Sequence, residues 1–255
     1  MTEAMEAEFG TVAEWTAQVA TDLGPSFYIP AGCRGSGSPA ALDWLIEHLE
    51  LASGEVFLDS GAGVGGPAAY AETQRAVRPV LVEPEAGACR AARTLFGYPV
   101  LQASASSLPL ADDSVDVAWS LGVLCTMAEQ LPLLTELRRV VRAPGRIGLL
   151  VFVAKSSEPF AQPEGNHFPT EEVLAGLLDR AGLRVEARRG TAEMPPIPQK
   201  WQGQVETVSE ELSSRHHAER SWQLAEKQSA LIGDLLEKGL VQGELMVVRR
   251  VPADI

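Results

Sequence analysis

The chain has 255 residues, 45% of them hydrophobic and 22% charged, with a formal net charge of -13. That is enough apolar residue for one large domain with a full core, and the negative field argues against DNA or RNA as a partner because it repels phosphate backbones. Cys33, Cys89 and Cys125 are odd in number and widely spaced, which fits free thiols and neither a disulfide framework nor a zinc site.

In chain order, the opening "MTEAMEAEFG" is acidic and lacks the basic-then-apolar build of a signal peptide. The best apolar run, Ile147–Ala154, is eight residues, far short of the roughly 20 a membrane span needs. A cytoplasmic protein without a membrane span is expected. An amphipathic helix is predicted near 5–22, a turn-rich loop "IPAGCRGSGSP" at 29–39, and a helix at 40–51. Ser38 followed by Pro39 marks the start of that helix, the serine as N-cap and the proline at the first helical position.

Five strand-like runs follow at 55–60, 77–83, 98–103, 114–120 and 146–154, each bounded by Gly, Pro, Asp or Ser. Helical stretches lie between them at 66–75, 85–95 and 129–142, so the pattern is βαβ and the sheet parallel. Residues 168–182 form a further helix, capped by Thr170, with Glu171 and Glu172 in its first turn and Gly182 as its stop. A sixth strand is predicted at 183–190. After it, the Pro-stiffened "EMPPIPQK" leads into a long helical stretch, and 242–251 forms a last strand. The expectation is one domain over 1–255: a helical cap at 1–54, a core at 55–190, a helical lid at 191–241, and the last strand.

The densest motif is "FLDSGAGVGGP" at 57–67. Gly61, Gly63 and Gly66 fit a dinucleotide fingerprint, whereas Asp59, Gly61, Gly63 and Gly65 fit a loop that holds S-adenosylmethionine. Either ligand needs glycines where a strand turns sharply into a helix and backbone approaches closely. Either also uses an acid after the second strand for ribose hydroxyls, and Glu83 stands 22 residues after Gly61. Asp59 separates the readings: a carboxylate there crowds a pyrophosphate but suits an ammonium group. The chain also shows no recognisable Tyr-x-x-x-Lys.

With "LVEPE", "SLPLADDSVDVAWSLGVL" and "ELRRVVRAPGRIGLLVF" in order behind it, the motif resembles the class I S-adenosylmethionine-dependent methyltransferases, and most the small-molecule branch typified by quinone and sterol methyltransferases. The resemblance covers 55–154 closely. It implies a Rossmann-like, seven-stranded, mostly parallel α/β sheet whose last strand is antiparallel, with the helical cap and the lid insert. It implies S-adenosyl-L-methionine as cofactor and methyl transfer to a small, partly apolar molecule. Asp59, Gly61, Gly63 and Gly65 map onto the methionine end, Glu83 onto the ribose diol, Pro84 onto the adenine side, and Ser120, Leu121 and Gly122 onto the region of the reactive methyl. Ser104 and Ala105 stand at the adenine-amino positions, where Ser104 replaces the family's Asp. Cys125 stands near where the family often has a His, so no catalytic base carries over.

Outside the resemblance, His167 in "EGNHFPT" is a candidate at the active-site rim or a loop residue packing on the next helix. Trp201, with Met194 and Trp222, is a candidate lining for an apolar acceptor pocket or a docking core for the lid. Arg34 could pair with the cofactor's carboxylate or stand in a surface turn. His216 and His217, adjacent in the lid, read as a solvated turn, and no group has metal spacing. Two alternatives remain: a nicotinamide-dependent oxidoreductase, and a non-methylating member of the fold, a cyclase or regulatory cofactor-binding protein.

Overall fold

A computed structural model describes residues 2–251. Among them the strands are β1 (Val56–Ser60), β2 (Arg78–Glu83), β3 (Val100–Gln102), β4 (Val117–Leu121), β5 (Arg146–Ala154), β6 (Leu183–Gly190) and β7 (Val241–Arg250). They form one sheet in the order β3-β2-β1-β4-β5-β7-β6. β1 to β5 pair in parallel, and β7 runs antiparallel between β5 and β6. This is the seven-stranded, mostly parallel α/β sheet expected, with its last strand reversed. β4, "VAWSL", is buried throughout, as a central parallel strand covered on both faces must be.

The helices are α1 (Glu3–Glu6), α2 (Ala13–Leu23), α3 (Tyr28–Gly32), α4 (Pro39–His48), α5 (Gly66–Arg75), α6 (Ala86–Phe96), α7 (Leu131–Val140), α8 (Glu171–Arg180), α9 (Gln199–His216) and α10 (Arg220–Glu237). Two starts follow the capping chemistry read in the sequence. Ser38 accepts from the Ala41 amide at 3.3 Å, and Thr170 from the Val173 amide at 3.3 Å. Between α1 and α2 the backbone widens into a π-helical segment, Ala7–Val12, within the single amphipathic helix the periodicity predicts.

Leu42, Leu45 and Leu49 of the α4 region pack on Phe57, Trp119, Leu150 and Leu245 on one sheet face, while Leu133, Leu134, Leu137, Leu174 and Leu178 cover Leu58, Ile147, Leu149 and Val151 on the other. The long helical stretch divides into α9 and α10. Buried Val208, Leu212, Trp222 and Ala225 of this pair cluster with Val12, Val19 and Ala20 of the N-terminal helices. The cap and the insert therefore pack as one layer. In the loop expected at 29–39, residues 28–32 are helical instead. Gly32 packs against Gly66, where a Cβ on Gly66 would lie 2.2 Å from the Gly32 carbonyl carbon.

Candidate active site

Parallel sheets present ligand sites at the carboxyl ends of strands where the order reverses. Here that point lies between β1 and β4, and Asp59 stands there, beside Trp119 in register. Asp59 is 2% exposed, and its Oδ2 has no hydrogen-bond partner. Two other buried polar atoms nearby also lack partners, Ser60 Oγ and the Trp119 indole nitrogen. Unpaired buried polar groups are costly, so three of them at the end of two adjacent strands mark a place built for a polar ligand.

Burial pushes the Asp59 carboxyl up from the ordinary 3.8 to about 7. The indole of Trp119 lies close enough to pull against that rise without forming a well-directed hydrogen bond, and the Glu83 charge adds to it. Burial likewise pushes Glu83 up to about 7, against two backbone amides that favour its charge. Those amides fix the carboxylate in place: Gly63 donates to Glu83 Oε2 at 2.9 Å and Glu85 donates to Oε1 at 3.0 Å. The ribose-type acid thus also holds the glycine loop.

In that loop Gly61, Gly63 and Gly65 have φ of 79°, 53° and 89°, a region that disfavours side chains. A Cβ on Gly61 would meet Val123 Cγ2 at 2.2 Å, whereas a Cβ on Gly63 would meet nothing within 4 Å. Gly63 therefore borders open space. Gly66 is the first residue of α5, and its lack of a side chain answers to α3 rather than to a ligand. Ser120 Oγ donates to the Ser60 carbonyl at 2.8 Å, tying the ends of β1 and β4. Gly122, with φ 78°, turns the chain into Val123.

The other predicted positions divide. Pro84 is exposed next to Glu83, and its carbonyl accepts from Gln102 at 3.2 Å. Ser104 is exposed, with its hydroxyl 2.8 Å from that of Ser106, and Ala105 is buried in the core. The Leu121 side chain is buried against the α4 face, so any part it plays in the cleft falls to its backbone. Cys125 donates from Sγ to the Phe152 carbonyl and accepts from the Phe152 amide, both at 3.2 Å. Burial pushes this thiol up to about 12, so it clamps the segment after β4 to β5 and is no ready nucleophile.

His167 exposes its side chain. Its amide donates to Cys125 O at 2.7 Å, and its carbonyl accepts from Gln130 at 2.8 Å. Trp201 meets Tyr70 of α5 edge-on at 5.9 Å between ring centroids, and Trp222 is buried among the N-terminal helices. Trp222 thus docks the insert, while Trp201 stays half-buried beside Tyr70. The Arg34 guanidinium lies 5.7 Å from the Trp222 ring centre and 4.0 Å from Glu226, turned toward the insert. His216 stacks on Trp15 at 3.9 Å, while His217 is exposed. Trp119 and Ser60 escaped the sequence reading; the available signal was their position in "DVAWSLG" and "FLDSG", beside the motif residues. Among the described residues no group of three or more His, Cys, Asp or Glu is placed to hold a metal, and no helix is long and apolar enough to cross a membrane.

Residues 58–149, from β1 through β5, match the model of a methyltransferase domain family. That stretch is a methyltransferase domain, and the seven-stranded sheet it belongs to has the fold of the class I S-adenosylmethionine-dependent methyltransferases. An uncharacterized methyltransferase of Mycobacterium avium is 35% identical over 165 residues, 62% of each chain. This chain spans about half to three-fifths of the length of the curated relatives it matches first. Among solved structures, the cyclopropane synthase MmaA2 from Mycobacterium tuberculosis matches with TM-score 0.70 at 16% identity, covering 92% of this chain and 97% of that one. The [4+2]-cyclase SpnF matches with TM-score 0.65 at 20% identity, covering 83% and 80%. These two likenesses concern the fold.

Proposed function

We propose that this chain binds S-adenosyl-L-methionine and catalyses transfer of its methyl group to a small, partly apolar molecule. The observation that carries the reading is the buried Asp59 carboxylate with an unpartnered oxygen at the end of β1, next to a glycine loop held by Glu83. An ammonium group answers that carboxylate, and the cofactor's methionine end carries one; a pyrophosphate is repelled by it. When bound, the cofactor supplies an electrophilic methyl on a sulfonium.

The chain's residues supply position and a dry site. Asp59 holds the amino group, and the backbone of Gly61, Gly63 and Gly65 lies along the methionine end. Glu83 accepts from the ribose diol on lone pairs its two backbone bonds leave free. Pro84 and the Ser104–Ala105 turn flank the adenine, with Ser104 offering a short hydroxyl where an Asp is usual. The backbone around Leu121 borders the methyl. His167 at the rim and Trp201 at the start of the insert complete the acceptor side. With Cys125 committed to Phe152, the acceptor is a nucleophile that reacts without a strong protein base. The cap, core and insert act as one unit over 1–255, in the cytoplasm, on a small-molecule partner.

The test is transfer of labelled methyl from S-adenosylmethionine to pooled small molecules, read as labelled product together with S-adenosylhomocysteine. A labelled product that Asp59→Ala abolishes supports the reading. Release of no labelled product from any pool, despite tight cofactor binding, favours a non-methylating role instead.

A further inference from the structure

Gln228 of α10 is 5% exposed, far from the glycine loop in sequence. Its side-chain amide makes a two-way pair with one backbone unit. The Glu164 amide donates to Gln228 Oε1 at 3.1 Å, and Gln228 Nε2 donates to the Glu164 carbonyl at 3.0 Å. Packing there is open: a cavity of about 270 Å³ lies beside the pair, lined by Ala4, Glu164, Leu224, Lys227 and Leu231. The amide pair therefore joins the insert to the loop after β5 beside this cavity. Three residues on, that loop reaches the segment after β4. The His167 amide donates to Cys125 O at 2.7 Å, and Gln130 Nε2 bridges the carbonyls of His167 and Leu124 at 2.8 and 3.1 Å. Val123 of this segment lies against Gly61.

We propose that Gln228 is a positioning residue: by clamping Glu164, it holds the 163–167 loop on Cys125 and Gln130 and so fixes the segment that walls the glycine loop. The claim rests on the proposed cofactor site for its consequence, but not for its physics. Breaking the pair leaves a backbone amide and carbonyl of Glu164 without partners, and the loss travels through three residues to the 122–127 wall. Docking of the insert and the shape of the cleft are then one equilibrium.

The experiment uses the full chain without ligand, as wild type, Gln228→Leu and Gln228→Glu, with hydrogen exchange followed in peptides covering 121–130 and 162–168. Glutamate is the informative variant. As a protonated acid it accepts from the Glu164 amide and donates to the Glu164 carbonyl, restoring both bonds. As a carboxylate it faces that carbonyl with no proton to give. The charged residues that line the cavity beside it are Glu164, whose charge disfavours ionisation there, and Lys227, whose charge favours it.

For Gln228→Leu, exchange corrected for intrinsic rates accelerates roughly tenfold or more in both peptides, while β1 and β4 are unchanged. For Gln228→Glu it is near wild type at pH 5 and fast at pH 8. Acceleration confined to 162–168, or equal exchange of the Glu variant at both pH values, overturns the proposal. A companion titration with S-adenosylhomocysteine separates the two readings. Failure of the wild type to bind it counts against the cofactor assignment and leaves the exchange result standing. Weakening of binding by several-fold in Gln228→Leu at an unchanged melting temperature shows that the wall matters to the ligand. Unchanged binding, with the wall peptide accelerated, removes the positioning role.

Discussion

Replacing Asp59 by asparagine tests whether the cluster at the end of β1 is strained for the sake of a ligand. In the folded chain this carboxyl takes its proton at about 7, against an ordinary 3.8. Each tenfold difference in proton affinity is worth about 1.4 kcal/mol, so ionised Asp59 costs the apoprotein roughly 4 kcal/mol at most. The sign follows from the raised folded value. The folded chain keeps a proton that the unfolded chain releases, so this group's contribution to stability is most favourable below about pH 4, falls as pH rises toward 7, and is level above it. An asparagine side chain cannot ionise. At pH 8 we expect Asp59→Asn to stabilise the apoprotein by roughly 2–4 kcal/mol, and at pH 4 to change it little, as read by urea denaturation at the two values. The same variant loses at least about a hundredfold in affinity for S-adenosylhomocysteine, since a charge-assisted bond to the ammonium is gone. A variant less stable than wild type at pH 8, or one that binds the ligand normally, refutes the reasoning.

Other outcomes follow from the same geometry. Both Asp59 and Glu83 are held up near 7, so affinity for S-adenosylhomocysteine rises from pH 6 to pH 8 and binding near pH 7 releases protons, measured by calorimetry in buffers of different ionisation enthalpy. Gly66→Ala places a Cβ 2.2 Å from the Gly32 carbonyl carbon and 2.4 Å from the Cys33 amide nitrogen; it should cost about 2–3 kcal/mol in denaturant unfolding. Gly63→Ala meets no protein atom within 4 Å, so its cost to stability is about 1–2 kcal/mol from the positive φ, while ligand affinity falls more steeply; equal effects of the two variants on stability would count against the assignment. Gly87→Ala, whose Cβ would lie 2.3 Å from Gly10 O, lifts the N-terminal helices from α6 and raises proteolysis within residues 3–23.

The strands were legible because buried parallel strands read as continuous apolar runs between turn residues, and β5, "RIGLLVFVA", is found at its predicted bounds. Caps were legible for a similar reason: Ser38 and Thr170 act within three residues of themselves. The glycine loop was legible as a loop, but the reason for each glycine was not. Gly66 answers to Gly32, 34 positions earlier, and Gly61 to Val123, contacts that only the folded chain creates. The helix at Tyr28–Gly32 hid behind Pro30 and a following run of glycines and serines. Trp119 and Ser60 look like ordinary strand residues apart from their place beside the motif residues, and burial without a partner is what marks them in the folded chain. Trp201 reads as acceptor lining or as docking core because an apolar ring serves either, and its half-buried, edge-on contact with Tyr70 is compatible with both.

The most direct measurement is calorimetric titration of the wild-type chain with S-adenosylhomocysteine and, separately, with NAD. The expected result is saturable one-to-one binding of S-adenosylhomocysteine that Asp59→Asn abolishes, and no binding of NAD. Saturable binding of NAD without binding of S-adenosylhomocysteine would contradict the assignment of this site.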